Sequence, residues 1–131
     1  MAIEVKDQEY AAVSALSAPN RYSHFISQVA EWGEVWGLRG PGGWVLAADD
    51  DGRQLMPVWP HARYAEACVA GAWSESAPEA IPLERWLDEW LSGMTHDGRS
   101  VAVFPVLGGV GIPVEAQRLA ADLSDALEQD E

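Results

Sequence analysis

The sequence predicts an α+β fold with a mostly antiparallel sheet of about four to five strands, and three observations predict it. Strand-like runs follow one another instead of alternating with helices. Amphipathic helical stripes flank that run on both sides. Glycine, proline and aspartate clusters separate the strands closely enough for hairpins. The predicted order is α-α-β-β-β-α-α-β-(β)-α, in a single domain over residues 1–131.

Each element has its own warrant. A short helix is expected from Asp7 to Leu16, ending before the breaker Ser17-Ala18-Pro19-Asn20. Tyr22, Phe25, Ile26 and Val29 form one apolar stripe of a second helix from Arg21 to Glu31, with Asn20 as N-cap and Gly33 as terminator. Glu34 to Arg39 and Trp44 to Ala48 flank Gly40-Pro41-Gly42-Gly43 as a hairpin, and Asp49-Asp50-Asp51-Gly52 turns the chain into Gln54 to Trp59. Together they read as an antiparallel meander. Apolar residues on both faces of these strands imply that more than one face is covered. Pro60 opens a further helix with His61, Tyr64, Ala65, Cys68 and Val69 on one face, closed by Gly71.

A loop is expected from Ser74 to Ile81. Leu83, Trp86, Leu87, Trp90 and Leu91 then make the strongest amphipathic pattern in the chain, a helix capped by Gly93. Val101 to Val106 is a β-prone run, with Gly109 to Pro113 as a short partner strand. A last helix from Val114 to Leu127 buries Ala116, Leu119, Ala120, Leu123 and Leu127 and ends in a frayed acidic tail, 128–131.

Composition narrows the function classes. Net charge is −13, from 21 acidic against 8 basic residues, and Lys6 is the sole lysine. Such a field repels nucleic-acid backbones and anionic membrane surfaces, and attracts basic proteins. It also serves simply to keep a domain with seven tryptophans soluble. Cys68 is the single cysteine, which excludes an intramolecular disulfide and suits a reducing cytoplasm. The N-terminal residues do not read as a signal peptide. The uncharged stretch Val101 to Val114 is too short and too broken by proline and glycine to span a bilayer, which takes about 20 apolar residues. A cytoplasmic protein is expected.

Several blocks carry a resemblance. Arg21-Tyr22-Ser23-His24-Phe25, Glu34-Val35-Trp36-Gly37-Leu38 and Met56-Pro57-Val58-Trp59-Pro60 are followed by Tyr64-Ala65-Glu66, Ile81-Pro82-Leu83 and Val101-Ala102-Val103-Phe104-Pro105. In that order and spacing the chain resembles the bacterial family known as domain of unknown function 2750, from about Arg21 to Leu123. The resemblance implies a small bacterial protein and brings no activity, cofactor or catalytic set. The recurrent positions are mostly tryptophan, proline and aliphatic residues, a packing signature.

No motif for chemistry stands out. Cys68 and His61 share a helix face, but seven positions put them roughly 10.5 Å apart along the axis, beyond the reach of a dyad. Cys68 reads as a small buried apolar residue. His24 falls opposite the apolar stripe and is expected in solvent, and no two histidines have ligand spacing. Asp49-Asp50-Asp51-Gly52 lacks the alternating ligands of a calcium loop and reads as a turn. Gly108-Gly109-Val110-Gly111 lacks the endings of both phosphate-binding glycine loops. No cofactor or metal is expected. Trp36, Trp44, Trp59, Trp86 and Trp90 are assigned to the core, whereas Trp32 and Trp73 at element ends are candidates for exposure and partner contact.

Two function classes compete. One is a non-enzymatic acidic protein-binding module of the immunity or inhibitor type, acting on a basic partner through Trp32, Trp73, Asp49, Asp50, Asp51 and the acidic face of the last helix. The other is a small-molecule-binding domain or an enzyme with a site formed from dispersed residues such as Tyr22, His61, Asp97 and Arg99. A homodimer that buries surplus apolar strand surface is a third possibility.

Overall fold

The computed structural model describes residues 5–48, 51–52, 54–106 and 111–129. Its elements mix helix and strand in the α+β manner, and its strands divide between two small sheets. Helix α1 (Asp7–Ser14) carries Asp7 and Glu9 in its first turn, at the positive end of the helix dipole. Helix α2 (Ala18–Trp32) begins before the expected Arg21. Ser17 is the true N-cap, accepting the Asn20 amide at 3.3 Å, and Pro19 sits in the first turn, where no backbone N–H is needed. The expected breaker is therefore a start signal. Gly33 closes α2 in the left-handed conformation, φ 74°. Phe25 and Val29 are wholly buried, each worth about 1.5–3 kcal/mol of burial.

The first sheet has the order β2-β1-β5. Strand β1 (Glu34–Gly40) and β2 (Gly43–Trp44) form the expected hairpin, pairing Arg39 with Trp44. Strand β5 (Ala77–Pro82) pairs antiparallel with β1 from Glu34↔Pro82 to Arg39↔Ala77. The sequence predicts a loop from Ser74 to Ile81, and the strand that replaces most of it contains Pro78 and Pro82. An edge position tolerates them, since a proline whose missing N–H faces away from the sheet breaks no ladder bond. Gly37 lies at the centre of β1, where a Cβ would stand 3.0 Å from the Trp44 ring and 3.2 Å from Met56. The indole therefore rests directly on backbone.

The second sheet has the order β3-β4-β6-β7. It contains β3 (Ala47–Ala48), β4 (Gln54–Val58), β6 (Ser100–Val103) and β7 (Ile112–Glu115). Strands β4 and β6 run parallel and the other described pairs are antiparallel. The expected strand 44–48 is split. The Val45 amide still donates to Leu38 at 2.8 Å, after which the chain leaves the first sheet and pairs Ala47 with Leu55 in the second. The expected meander is likewise broken between β1 and β4. The two sheets meet through a reciprocal pair of bonds between Trp36 and Trp59, at 2.9 and 2.8 Å. Leu55 to Val58 and Val101 to Val103 are all buried, as central strands covered on both faces should be.

The remaining helices cover these sheets. Helix α3 (Ala62–Glu66) is shorter than predicted, and a 3₁₀ turn over Gly71–Trp73 follows it. Segments α4 (Leu83–Arg85), a π-helical stretch (Trp86–Leu91) and α5 (Ser92–Asp97) form one continuous helix, residues 83–97, closed by Gly98 at φ 70°. Gly93 lies inside this helix instead of capping it. The π turn brings Trp86 and Leu91, five positions apart, into full burial together. Helix α6 (Ala116–Gln129) buries Ala116, Leu119 and Leu123 as predicted, with Ala120 and Leu127 partly covered. It packs on α2, β7 and helix 83–97.

Candidate functional site

The most unusual backbone among the described residues is Phe104. It has φ 56°, a left-handed conformation costly for a bulky residue and doubly so before proline, which favours extended backbone. Residues in such conformations persist only where their surroundings over-determine them. At this corner after β6 the determinants are polar and buried. The Phe104 amide donates to the Val58 carbonyl at 2.9 Å. Its carbonyl accepts Nε of Arg21 at 3.1 Å, while Nη1 of Arg21 donates to Leu16 at 2.6 Å. The Pro105 carbonyl accepts the indole N–H of Trp59 at 2.8 Å and the thiol of Cys68 at 3.5 Å. Arg21 is only 7% exposed, so its charge is dispersed over backbone carbonyls rather than water.

Gly111 completes the corner. A Cβ there would lie 2.8 Å from the Val103 carbonyl and 3.1 Å from Pro105, too close for any side chain. Residues 107–110 lie outside the described residues, but Gly111 is required by close approach.

From the corner an aromatic series runs outward to α1. Tyr64 lies 4.9 Å from Phe104, Tyr10 stacks on Tyr64 at 5.7 Å, and the guanidinium of Arg63 covers Tyr10 at 4.7 Å. Arg63 is held there by the Val5 carbonyl at 2.6 Å and by an ion pair with Asp7. On the other side of Phe104, at 6.4 Å, is His24. A cavity of about 150 Å³ opens between Tyr10, Ser14, Tyr64, Ala67, Cys68 and Phe104.

Two buried polar groups around this corner have no hydrogen-bond partner among the described residues: Nε2 of His24 and the hydroxyl of Tyr64. Burial lowers the His24 pKa, partly opposed by Glu9. Burial, reinforced by Glu9, pushes the Tyr64 hydroxyl up to about 12. The Cys68 thiol is also pushed up by burial, against the effect of its Trp59 neighbour, so it is a poor nucleophile at neutral pH. His24 was expected in solvent and is instead half-buried. The cause is Arg21: buried one turn away, it draws the Phe104 corner onto the 21/24/25 side of α2.

The residues predicted to contact a partner are dispersed. Trp32 is half-buried at the end of α2, edge-on to His61 at 5.8 Å. Trp73 is half-buried in the 3₁₀ turn, edge-on to Trp59 at 6.3 Å. Neither differs in kind from Trp36, Trp44 and Trp90, which were assigned to the core and are also only partly covered. Trp59 and Trp86 are the tryptophans fully sealed from solvent. Asp51 is exposed in the turn before β4, and Asp49 and Asp50 lie outside the described residues. Tyr22, His61, Asp97 and Arg99 have separate surroundings. Tyr22 donates to Asp122 of α6, which together with burial raises its pKa. His61 caps α3, its Nδ1 accepting the Arg63 amide at 3.1 Å, and Asp97 and Arg99 are exposed beside Gly98. Among the described residues, no group of three or more His, Cys, Asp or Glu is placed to hold a metal ion.

A family model for proteins of unknown function, DUF2750, matches residues 22–123. The chain belongs to that family. Searches of curated proteins and of solved structures gave no match. The matched DUF2750 span contains Trp59, Tyr64, Cys68 and the Phe104 corner, and Arg21 stands immediately before it. Three of the blocks that carry the resemblance, 21–25, 56–60 and 101–105, thus meet in one polar knot. Sequence reasoning saw these blocks as packing. It missed their convergence, and the available signal was an arginine in a helix stripe of otherwise apolar residues.

Proposed function

We propose that the chain is a non-enzymatic binding module of a bacterial cytoplasm, of the immunity or inhibitor type, which engages a basic protein through its acidic surface. The observation that carries this reading is how its cations are used. Arg21 is interior, and Arg39, Arg63, Arg85 and Arg118 are paired with Glu79, Asp7, Glu89 and Asp122. Glu84 and Asp88 on helix 83–97 and Asp125 and Glu128 on α6 are exposed without an ion pair, within a chain of net charge −13. Such a field raises the association rate with a cationic partner and weakens with salt.

Catalysis has less support, since burial pushes the pKa of the thiol at the corner up and so disfavours the reactive thiolate. A homodimer built on an apolar face also has little to draw on: Leu46, at 43% exposure, is the exposed large hydrophobic residue among those described. No helix among the described residues is long and apolar enough to cross a membrane. The test is pull-down with wild type and a Glu84→Lys/Asp88→Lys variant at about 0.1 M and about 1 M salt, where the screening length falls from about 10 to about 3 Å. A basic protein held by wild type at low salt, and released by salt or by charge reversal, supports the reading. Identical retention in all arms, or retention of no basic protein, contradicts it.

A further inference from the structure

Among the described residues, every buried core residue except Val5 and Val13 lies from α2 onward, and α1 rests against that body from outside. We propose that α1 is a strap: it lifts off as a unit about Leu16 while the body stays folded, and uncovers the face around Tyr64 and Cys68.

Helix α1 is weakly held by its own means. At 8 residues it is shorter than the roughly 12–15 that an isolated helix needs in water, and Lys6 at its N-cap gives no side-chain cap. Val13 is its single buried residue, where α6 buries Ala116, Leu119 and Leu123. Arg63 is the latch. It donates to the Val5 carbonyl at 2.6 Å, pairs with Asp7 and covers the Tyr10 ring at 4.7 Å. The Asp7 side chain is 96% exposed, so the ion pair adds little on its own. The family span begins at residue 22, so it holds Arg63, Tyr64 and Cys68 but not the helix that covers them.

The seam beneath α1 is incompletely packed. A cavity of about 150 Å³ lies between Tyr10 and Ser14 of α1 and Ala67 and Cys68 of the body. The Tyr64 hydroxyl and Nε2 of His24 are buried without a hydrogen-bond partner among the described residues, and the Glu9 carboxylate of α1 acts on both groups. Water reaches them when α1 lifts, which offsets part of the contact that is lost. The body does not depend on the strap. Ser17 caps α2 from the far side of the junction, and Arg21 pins the Leu16 carbonyl at 2.6 Å. Movement is thereby confined to the residues before Leu16, and a helix this short melts once it leaves its packing.

Native-state amide exchange of the full chain, with maleimide labelling of Cys68, tests this. The amides of Tyr10 and Ala15, bonded to Lys6 and Ala11, should exchange about a hundredfold or more faster than the reciprocal Trp36 and Trp59 amides, with one shared urea dependence. Cys68 is the sole cysteine and 7% exposed, and its labelling should follow the α1 amides. Arg63→Met removes the latch and should speed α1 exchange and Cys68 labelling about tenfold. Tyr10→Ala, a change on the strap itself, should act in the same direction and serves if Arg63→Met does not fold. Val101→Ala in β6 loosens the body alone. It should speed exchange at Trp36 and Trp59 about tenfold and leave α1 and Cys68 unchanged. Protection of α1 equal to that of Trp36 and Trp59, equal acceleration of both sets by Val101→Ala, or Cys68 labelling that follows the body instead of α1 each overturn the proposal.

Discussion

Trp59 and Trp86 are both wholly buried, but their surroundings treat the indole N–H in opposite ways. At the Phe104 corner, Trp59 donates to the Pro105 carbonyl at 2.8 Å, within a set of bonds that also uses Arg21 and Cys68. In helix 83–97, the Trp86 N–H has no partner among the described residues, and its ring stacks on Trp90 at 5.9 Å. Trp90 in turn meets Trp44 edge-on at 5.2 Å. One region is specified by directional polar closure and the other by shape and area alone. The difference teaches that the seven tryptophans are not one class. Packing tolerates substitution of similar volume, whereas a buried polar knot does not.

The comparison breaks most visibly at Arg21. Arg21→Met keeps much of the aliphatic stem but removes the donors to Leu16 and Phe104. Loss of charged hydrogen bonds to buried carbonyls should cost about 3–5 kcal/mol, read from the urea midpoint with an unchanged m-value. A conservative change in the other region, Leu87→Met, should cost less than about 1.5 kcal/mol by the same measurement. Next comes Gly111→Ala, which forces a Cβ against the Val103 carbonyl and should cost about 1–3 kcal/mol. Gly93→Ala in helix 83–97 meets nothing within 4 Å and should be neutral or stabilising by up to about 1 kcal/mol.

The smallest expected effect is a pH dependence. The folded-state pKa of His24 lies below its ordinary value of 6.5, so the unfolded chain binds the proton more readily. Its contribution to stability is present in full above about pH 6.5 and is lost as pH falls through the folded pKa. His24→Gln should flatten the stability profile on the acid side of pH 6.5, measured by denaturant midpoints. An unaltered slope there would mean that His24 is solvated after all.

What was legible follows from range. The stripes Phe25/Val29 and Leu119/Leu123 announce helices because their spacing is local, and the α+β class followed from the order of such local signals. Strand β5 was hidden because Pro78 and Pro82 weaken the local signal, while its partner β1 lies far off in sequence. The π turn was hidden because Leu83, Trp86, Leu87 and Trp90 fit an α-helical stripe equally well. Buried Leu91 pairs with Trp86 at a spacing only packing selects. The Phe104 corner is the extreme case. Its bonds join residues 83, 46 and 37 positions apart, and no window of sequence holds both ends of any of them. The candidate site was therefore invisible for the reason that makes it specific: it exists only once the chain has closed on itself.

The direct measurement is equilibrium unfolding of Trp59→Phe beside Trp86→Phe. Both variants lose the same atoms from fully buried positions, so the difference between them isolates the indole N–H. Closure at the corner predicts that Trp59→Phe costs about 1–3 kcal/mol more, since it strips the Pro105 carbonyl of its indole donor while Trp86→Phe removes a donor that had none to satisfy. Equal costs, or a larger cost at Trp86, would contradict the division of the molecule into a polar knot and a packed helix.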